Sequence, residues 1–228
     1  MDSRAAALAD RLDDERSRRV AFVSHCLLNE NTRYLGGAFR PGGVAELISE
    51  LIDQGIGICQ MPCPEQHAWG GVLKRRMLLV YGARGTPLFW LRGALLPLFV
   101  LDTRAVYRRL ARDIATQIGD YQRSGCTVVG IIGVGASPSC GVHTTLDIRR
   151  SFDAMARIST DAIDRRSFNR DVVLACRRAG AGIFIRSLQR QLRRRGLAVP
   201  LLEHDLVAEM RGQRQRVLGD RSGAAAGG

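Results

Sequence analysis

The chain has 228 residues, of which 46% are hydrophobic and 25% are charged, a composition typical of one well-packed globular domain and not of a disordered or fibrous chain. The formal net charge is +12, and Lys74 is the only lysine, so nearly all of the cations are arginine. Because a GC-rich genome produces this pattern as readily as selection for phosphate binding does, the charge alone leaves both interpretations open.

No segment has the character of a secretory signal or of a membrane span. Residues 1–19 are charged and are predicted to form a leader outside the folded domain. The most apolar stretch, 87–101, contains Arg92 and is shorter than the roughly 20 apolar residues that cross a bilayer. We therefore expect no membrane partner and a cytoplasmic protein, in which the six cysteines indicate metal binding or catalysis rather than disulfides.

Short apolar runs alternate with helical patterns along the chain. The runs that predict strands are 20–24, 56–61, 127–134 and 197–202. The segments that predict helices are 44–54, 102–125, 170–179 and 182–195. Residues 77–81 indicate a strand or hairpin arm inside an insert of about residues 74–101, the rest of which has no clear periodicity.

This alternation predicts an α/β fold, a three-layer sandwich with a mainly parallel, Rossmann-like sheet and helices on both faces. We assign residues 20–209 to this domain, including the insert of about residues 74–101. The polar, Gly- and Ala-rich residues 210–228 are predicted to be a disordered tail.

Three cysteines follow predicted strands. Cys26, Cys63 and Cys140 each lie just after such a run, in segments rich in Gly, Pro, Ser or Asn. Because parallel strands end at one edge of the sheet, where open α/β sheets bind their ligands, we expect these thiols to meet in one pocket. Three thiolates suit an iron–sulfur cluster in which one iron has no protein ligand.

The segments around these cysteines form three short motifs. They read Ser24-His25-Cys26-Leu27-Leu28-Asn29 with Arg33-Tyr34 and Gly36-Gly37, Pro62-Cys63-Pro64-Glu65 with Gly70-Gly71, and Ser137-Pro138-Ser139-Cys140-Gly141. In this order, the motifs resemble those of the 2-thiouracil desulfurase family over residues 20 to about 205. The resemblance implies a [4Fe-4S] cluster with one iron that has no protein ligand, held by Cys26, Cys63 and Cys140. Thr32 replaces a further cysteine of the family pattern that is not one of the three ligands, which places the substrate contacts of this loop in question.

The resemblance further implies an enzyme, a desulfidase that removes sulfur from a thiolated pyrimidine and releases sulfide. The substrate would be thiouracil, thiouridine, or a thiolated nucleotide or tRNA. Glu65 is the candidate acid or base and Ser137 a candidate hydrogen-bond donor to substrate or cluster, since both lie close to a predicted ligand. Asn29 and Arg33 are candidate substrate-binding residues, because an amide and a guanidinium can orient a polar ring or a phosphate.

Several alternatives remain. The same site would serve cluster-dependent thiolation of tRNA, a non-enzymatic iron–sulfur binding or sensor protein, or a plain α/β domain with structural cysteines. One predicted helix carries an arginine cluster that is either a solvated face or a contact for RNA backbone. The members of this cluster are Arg186, Arg190, Arg193, Arg194 and Arg195. Cys59, Cys126 and Cys176 are interpreted as core residues, and no oligomeric state is predicted.

Overall fold

The protein, represented by a computed structural model, is described over residues 14–81, 89–159, 161 and 163–218, together with residues 4, 7, 8, 11 and 12. Parts of the predicted leader (1–19) and insert (74–101), and the end of the predicted tail from 219 onward, lie outside these residues. The strands are β1 (Arg19–Ser24), β2 (Gly57–Met61), β3 (Thr127–Val134), β4 (Thr144–Leu146), β5 (Arg177–Ala179) and β6 (Leu201–His204). The helices are α1 (His25–Leu28), α2 (Ala45–Asp53), α3 (Pro64–Ala68), α4 (Arg75–Tyr81), α5 (Arg92–Arg123), α6 (Ile148–Arg157), α7 (Arg165–Phe168), α8 (Ile183–Arg194) and α9 (Leu206–Met210).

Four parallel strands form the main sheet in the order β2-β1-β3-β6. In the centre of the sheet, Val20 of β1 pairs with Gly57 on one side and with Val128 on the other. The chain therefore moves outward from β1 to β2 and then returns past β1 to β3. Open α/β sheets bind their ligands at such a reversal, beyond the carboxyl ends of the strands.

Successive side chains of a strand point to opposite sides, so these apolar strands give the sheet two apolar faces. Helices cover both of them. On one face, Phe22 and Ile131 pack in a core to which α5 and α8 contribute Tyr107 and Phe184. The other face has its own core. It contains Ala21, Val23, Ile132, Leu47, Leu51 and Leu206, the last three from α2 and α9. The predicted three-layer α/β sandwich with a parallel, Rossmann-like sheet is confirmed.

Three local predictions were wrong. Residues 75–81 form helix α4, not a strand, since a short apolar run does not by itself distinguish the two. Helix α5 begins at Arg92, ten residues before the predicted start at 102, and passes through Pro97. The predicted helix over 170–179 is a π-helical turn (Asn169–Leu174) followed by β5, which pairs antiparallel with β4.

No helix within the described part of the chain combines the length and the apolar character needed to cross a membrane.

Candidate active site

The three predicted ligand cysteines line one cavity of about 110 Å³ beyond the carboxyl ends of the central strands. Cys26 lies two residues after β1, Cys63 two residues after β2, and Cys140 six residues after β3. All three are free thiols. Strands that are distant in sequence but adjacent in the sheet thus bring the thiols together.

Burial in the cavity disfavours the thiolate form of these three cysteines and raises their pKa values. Burial raises the pKa of Cys26 and Cys140, and it raises that of Cys63 to about 12. The charges that Cys26 and Cys63 would carry as thiolates raise the pKa of Cys140 further, while the cations of Arg33 and Lys74 lower that of Cys26. A bound cation or metal cluster is the kind of partner that would stabilise all three as thiolates.

The hydroxyl of Ser137 and the first turn of helix α8 hold the loop that carries Cys140. The hydroxyl oxygen of Ser137 accepts hydrogen bonds from the amides of Ser139 (3.3 Å) and Cys140 (3.0 Å). At the first turn of α8, the amide of Ile183 donates to the carbonyl of Pro138 (3.0 Å), and that of Phe184 donates to the carbonyl of Ser139 (3.2 Å). These contacts satisfy amides that a helix cannot pair internally, and they fix the loop against a rigid element.

Glu203 in β6 holds the other half of this loop. Its Oε2 accepts from the amides of Val142 (2.7 Å), His143 (2.6 Å) and Thr144 (3.1 Å), and its Oε1 accepts from the hydroxyl of Thr144 (2.9 Å). Glu203 lies near the end of β6, a strand of the same sheet, and this position in the sequence brings it to the same edge as the cysteines.

Glu65, the predicted acid or base, lies in a chain of polar groups on the cavity wall. The Ser139 hydroxyl donates to Glu65 Oε1 (2.8 Å), and the hydroxyl oxygens of Ser137 and Ser139 are 3.1 Å apart. Lys74 Nζ lies 3.6 Å from Glu65 Oε2 and donates to the carbonyl of Thr32 (2.7 Å). The sequence suggested no role for Lys74, which is only 2% exposed.

Arg33 borders the cavity, but its donors are engaged by acids and carbonyls. Its guanidinium donates to both carboxylate oxygens of Glu209 (2.9 and 3.1 Å) and lies 3.3 Å from the carboxylate of Glu30. Its Nε donates to the carbonyl of Cys26 (3.3 Å). Arg33 thus ties the Cys26 segment to α9, in addition to any contact it makes with a substrate.

Asn29, the other predicted substrate-binding residue, is not among the residues that line the cavity. Its Oδ1 accepts from the amide of Asn31 (3.1 Å), which caps the short 3₁₀ turn Glu30–Thr32. The structure therefore places Cys26, Cys63, Cys140, Glu65, Ser137 and Arg33 around one cavity and Asn29 outside it.

A second cavity, of about 490 Å³, adjoins the first and forms a vestibule. Both cavities are lined by Arg33, Tyr34, Lys74, Met77, Met155 and Phe168. The exposed side chains of Leu35, Val72 and Leu73 contribute to its outer wall. The second cavity thus borders the cysteine cavity, and most of the side chains that line it are apolar.

No group of three or more His, Cys, Asp or Glu side chains within the described ranges is arranged to hold a metal ion. An iron–sulfur cluster does not need three thiolates around a single metal ion, since each thiolate binds a different iron.

The fold and this cavity define a Rossmann-like α/β protein with three free thiols, two of them buried and one half-buried, at the carboxyl edge of its sheet. No family model matches the chain. The chain is 38% identical over 50 residues to an uncharacterized protein of Methanocaldococcus jannaschii, a match that covers 22% of this chain and 32% of that protein. The chain therefore matches about a third of the length of this relative, and no solved structure matches it.

Proposed function

We propose that the protein binds a [4Fe-4S] cluster through Cys26, Cys63 and Cys140 and removes sulfur from a thiolated pyrimidine, releasing sulfide. The observation that carries this proposal is the convergence of three free thiols from three strand ends on one cavity. The resemblance of the surrounding motifs to the 2-thiouracil desulfurase family supports the same assignment.

The residues present fit such a cluster. Cysteine thiolates are the usual protein ligands of iron–sulfur clusters. The three thiols are shielded from solvent to different degrees, with Cys63 and Cys140 buried and Cys26 half-buried. Two cations, Arg33 and Lys74, line the same cavity and would offset part of the negative charge of the thiolates.

When bound, the cluster would supply a soft iron without a protein ligand, to which thiocarbonyl sulfur can bind. Overall, water supplies the oxygen of the new C=O bond, the C=S bond breaks, and sulfur leaves as hydrogen sulfide with the two protons of the water. A proton acceptor for the water is needed, and the Glu65 carboxylate is the candidate because it borders the cavity.

The neighbours of Glu65 are suited to support this role. Ser139 contacts one oxygen of the carboxylate and Lys74 lies beside the other, and together they fix its orientation. The Ser137 oxygen accepts from two amides, so that its own hydrogen is available to Ser139 or to a substrate atom in the cavity. The apolar walls of the vestibule suit a planar, thiolated ring, for which a few polar groups then set the orientation.

The proposal is tested by anaerobic reconstitution of the full chain with iron and sulfide. We expect about four irons and four acid-labile sulfides per chain, the content of a [4Fe-4S] cluster, and sulfide release from 2-thiouracil, 4-thiouracil or 4-thiouridine. Cys26→Ser, Cys63→Ser and Cys140→Ser should each lose both properties. Cys176→Ser is the matched control, because Cys176 is also buried but does not line the cavity.

The possible results separate the parts of the proposal. Protein that retains no iron when reconstituted would contradict the cluster assignment. A cluster that forms without sulfide release from any thiolated substrate would reject the activity and favour the binding or sensor alternative. Loss of thiolated nucleosides from the tRNA of a deletion strain would favour sulfur insertion instead.

A further inference from the structure

A groove of about 490 Å³ lies beside the cysteine cavity, between the first turn of α8 and the segment that joins β4 to α6. Four arginines line it: Arg104, Arg149, Arg178 and Arg186. Asp147 is the only carboxylate among its described lining residues. The groove therefore concentrates positive charge contributed by four separate elements of the fold.

This charge is largely uncompensated. Arg178 lies 3.8 Å from Asp147, and no carboxylate of the described residues forms an ion pair with Arg104, Arg149 or Arg186. Burial lowers the pKa of Arg186, and repulsion from Arg178, Arg104 and Arg190 lowers it further. A group of cations that repel one another is stabilised when an anion binds between them.

The groove shares a wall with the cysteine cavity. Pro138, Leu146 and Ile148 line both spaces, and Pro138 belongs to the loop that carries Cys140. An anion in the groove would therefore be separated from the cysteine cavity by residues that line both spaces.

We propose that this groove binds phosphate groups. Guanidinium groups match phosphate oxygens with paired hydrogen bonds, and arginines from several elements can surround one phosphate. Two sources share this chemistry, the 5′-phosphate of a free nucleotide and the phosphodiester backbone of RNA. Phosphate binding goes beyond the proposed function, because it requires neither a cluster nor turnover.

The test is an equilibrium binding measurement on the full chain without a cluster. The probes are uridine 5′-monophosphate, uridine, and an unmodified tRNA transcript. The double variant Arg104→Gln/Arg186→Gln removes two groove cations. Its control, Arg109→Gln/Arg112→Gln, removes the same charge from exposed positions of α5, outside the residues that line the groove.

We expect at least one phosphate-bearing probe to bind and uridine to bind far more weakly. The groove variant should weaken binding by about tenfold for each arginine removed, since each loses a charge-assisted hydrogen bond. The control variant should have a smaller effect. Binding of uridine 5′-monophosphate would identify a free nucleotide as the source, and binding of tRNA alone would identify RNA.

Two results would overturn the inference. One is that neither phosphate-bearing probe binds more tightly than uridine. The other is that the control variant weakens binding as much as the groove variant, since the net charge of the protein, and not the groove, would then attract the ligand. Neither result bears on the cluster, which is measured separately through iron content.

Discussion

The ammonium nitrogen of Lys74 lies 3.6 Å from a carboxylate oxygen of Glu65, and the two side chains are only 2% and 14% exposed. Lys74 reaches this position with a backbone φ of +52°, in the left-handed region that residues other than glycine rarely adopt. The only lysine of the chain is thus buried beside the candidate base of the active site. Lys74 and Glu65 stabilise each other in this position, because removal of either side chain would leave the charge of the other buried without a partner.

Lys74→Met should destabilise the protein by about 3 kcal/mol, because the Glu65 carboxylate would remain buried without its cation. Urea unfolding of the cluster-free protein at neutral pH measures this loss. Arg76→Met is the control, since Arg76 pairs with Asp102 at 3.0 Å but both side chains are about half exposed. Its cost should stay below about 1 kcal/mol. Equal costs for the two variants would contradict a buried ion pair at Lys74.

Glu203→Gln should loosen the loop that carries Cys140. An amide side chain has one oxygen and no charge, so it cannot replace a carboxylate that accepts four hydrogen bonds, and we expect a loss of about 2 kcal/mol. Hydrogen exchange of the amides at 142–144 should become faster in the cluster-free protein. Reconstituted protein should also lose iron to a chelator more rapidly.

Glu50→Gln provides the comparison for Glu203. The Glu50 carboxylate accepts from the amides of Val217 and Leu218, so the same substitution there disturbs a different segment. Exchange at 142–144 should not change in this variant. If both variants accelerate exchange equally at 142–144, Glu203 has no specific role in holding the loop.

Gly141→Ala should prevent the native loop from forming. A Cβ atom at this position would lie 2.0 Å from the carbonyl oxygen of Thr144 and 2.8 Å from that of Ser137, closer than real Cβ atoms approach backbone. We expect loss of iron binding together with a lower unfolding temperature. Gly93→Ala, in the first turn of α5 with open space around its Cβ position, should be neutral or stabilise by up to about 1 kcal/mol.

Acid should destabilise the protein through Glu209. Burial alone would raise the pKa of this carboxyl, but hydrogen bonds from His204 and Arg33 outweigh it and lower the pKa to about 2 from the usual value of 4.5. Arg40 also pairs with Glu209, and Glu30 faces the same group. Because the unfolded chain binds the proton more tightly, this contribution is present above about pH 4.5 and is lost as the pH falls toward 2.

The size of this effect is about 3 kcal/mol. The difference in unfolding free energy between the natural protein and Glu209→Gln should therefore be largest near pH 7 and should shrink between pH 4.5 and 2.5. Asp113→Asn removes an exposed carboxylate from α5 and should show no such pH dependence of the difference. A difference for Glu209→Gln that stays constant down to pH 2.5 would contradict the low pKa.

Three strands of the sheet and the meeting of Cys26, Cys63 and Cys140 were predictable from sequence, because both follow from local runs and one topological rule. The fourth strand, predicted over 197–202, is observed as Leu201–His204. Strands predicted over 20–24, 56–61 and 127–134 are observed as Arg19–Ser24, Gly57–Met61 and Thr127–Val134. Apolar, β-branched runs of this length form buried strands, and parallel strands share their carboxyl edge.

The partners of the site residues were not predictable in this way. Lys74 stands in a run of cations that looks solvent-exposed, and Glu209 lies in a short helix near the end of the described chain. Their roles come from tertiary contacts over long sequence distances, Lys74 with the carbonyl of Thr32 and Glu209 with Arg33. Sequence patterns report which face a residue occupies, but not which charged side chain will be buried against it.

The spacing of the three thiols also has a consequence for how a shared cluster could be inserted. Cys26, Cys63 and Cys140 are 37 and 77 residues apart, and only the pairing of β1 with both β2 and β3 brings them side by side. A zinc finger gathers its ligands from one short stretch and folds around its metal. Here the three sulfurs come from separate strand ends, so we expect a metal cluster bound by all three to enter after these strands have paired.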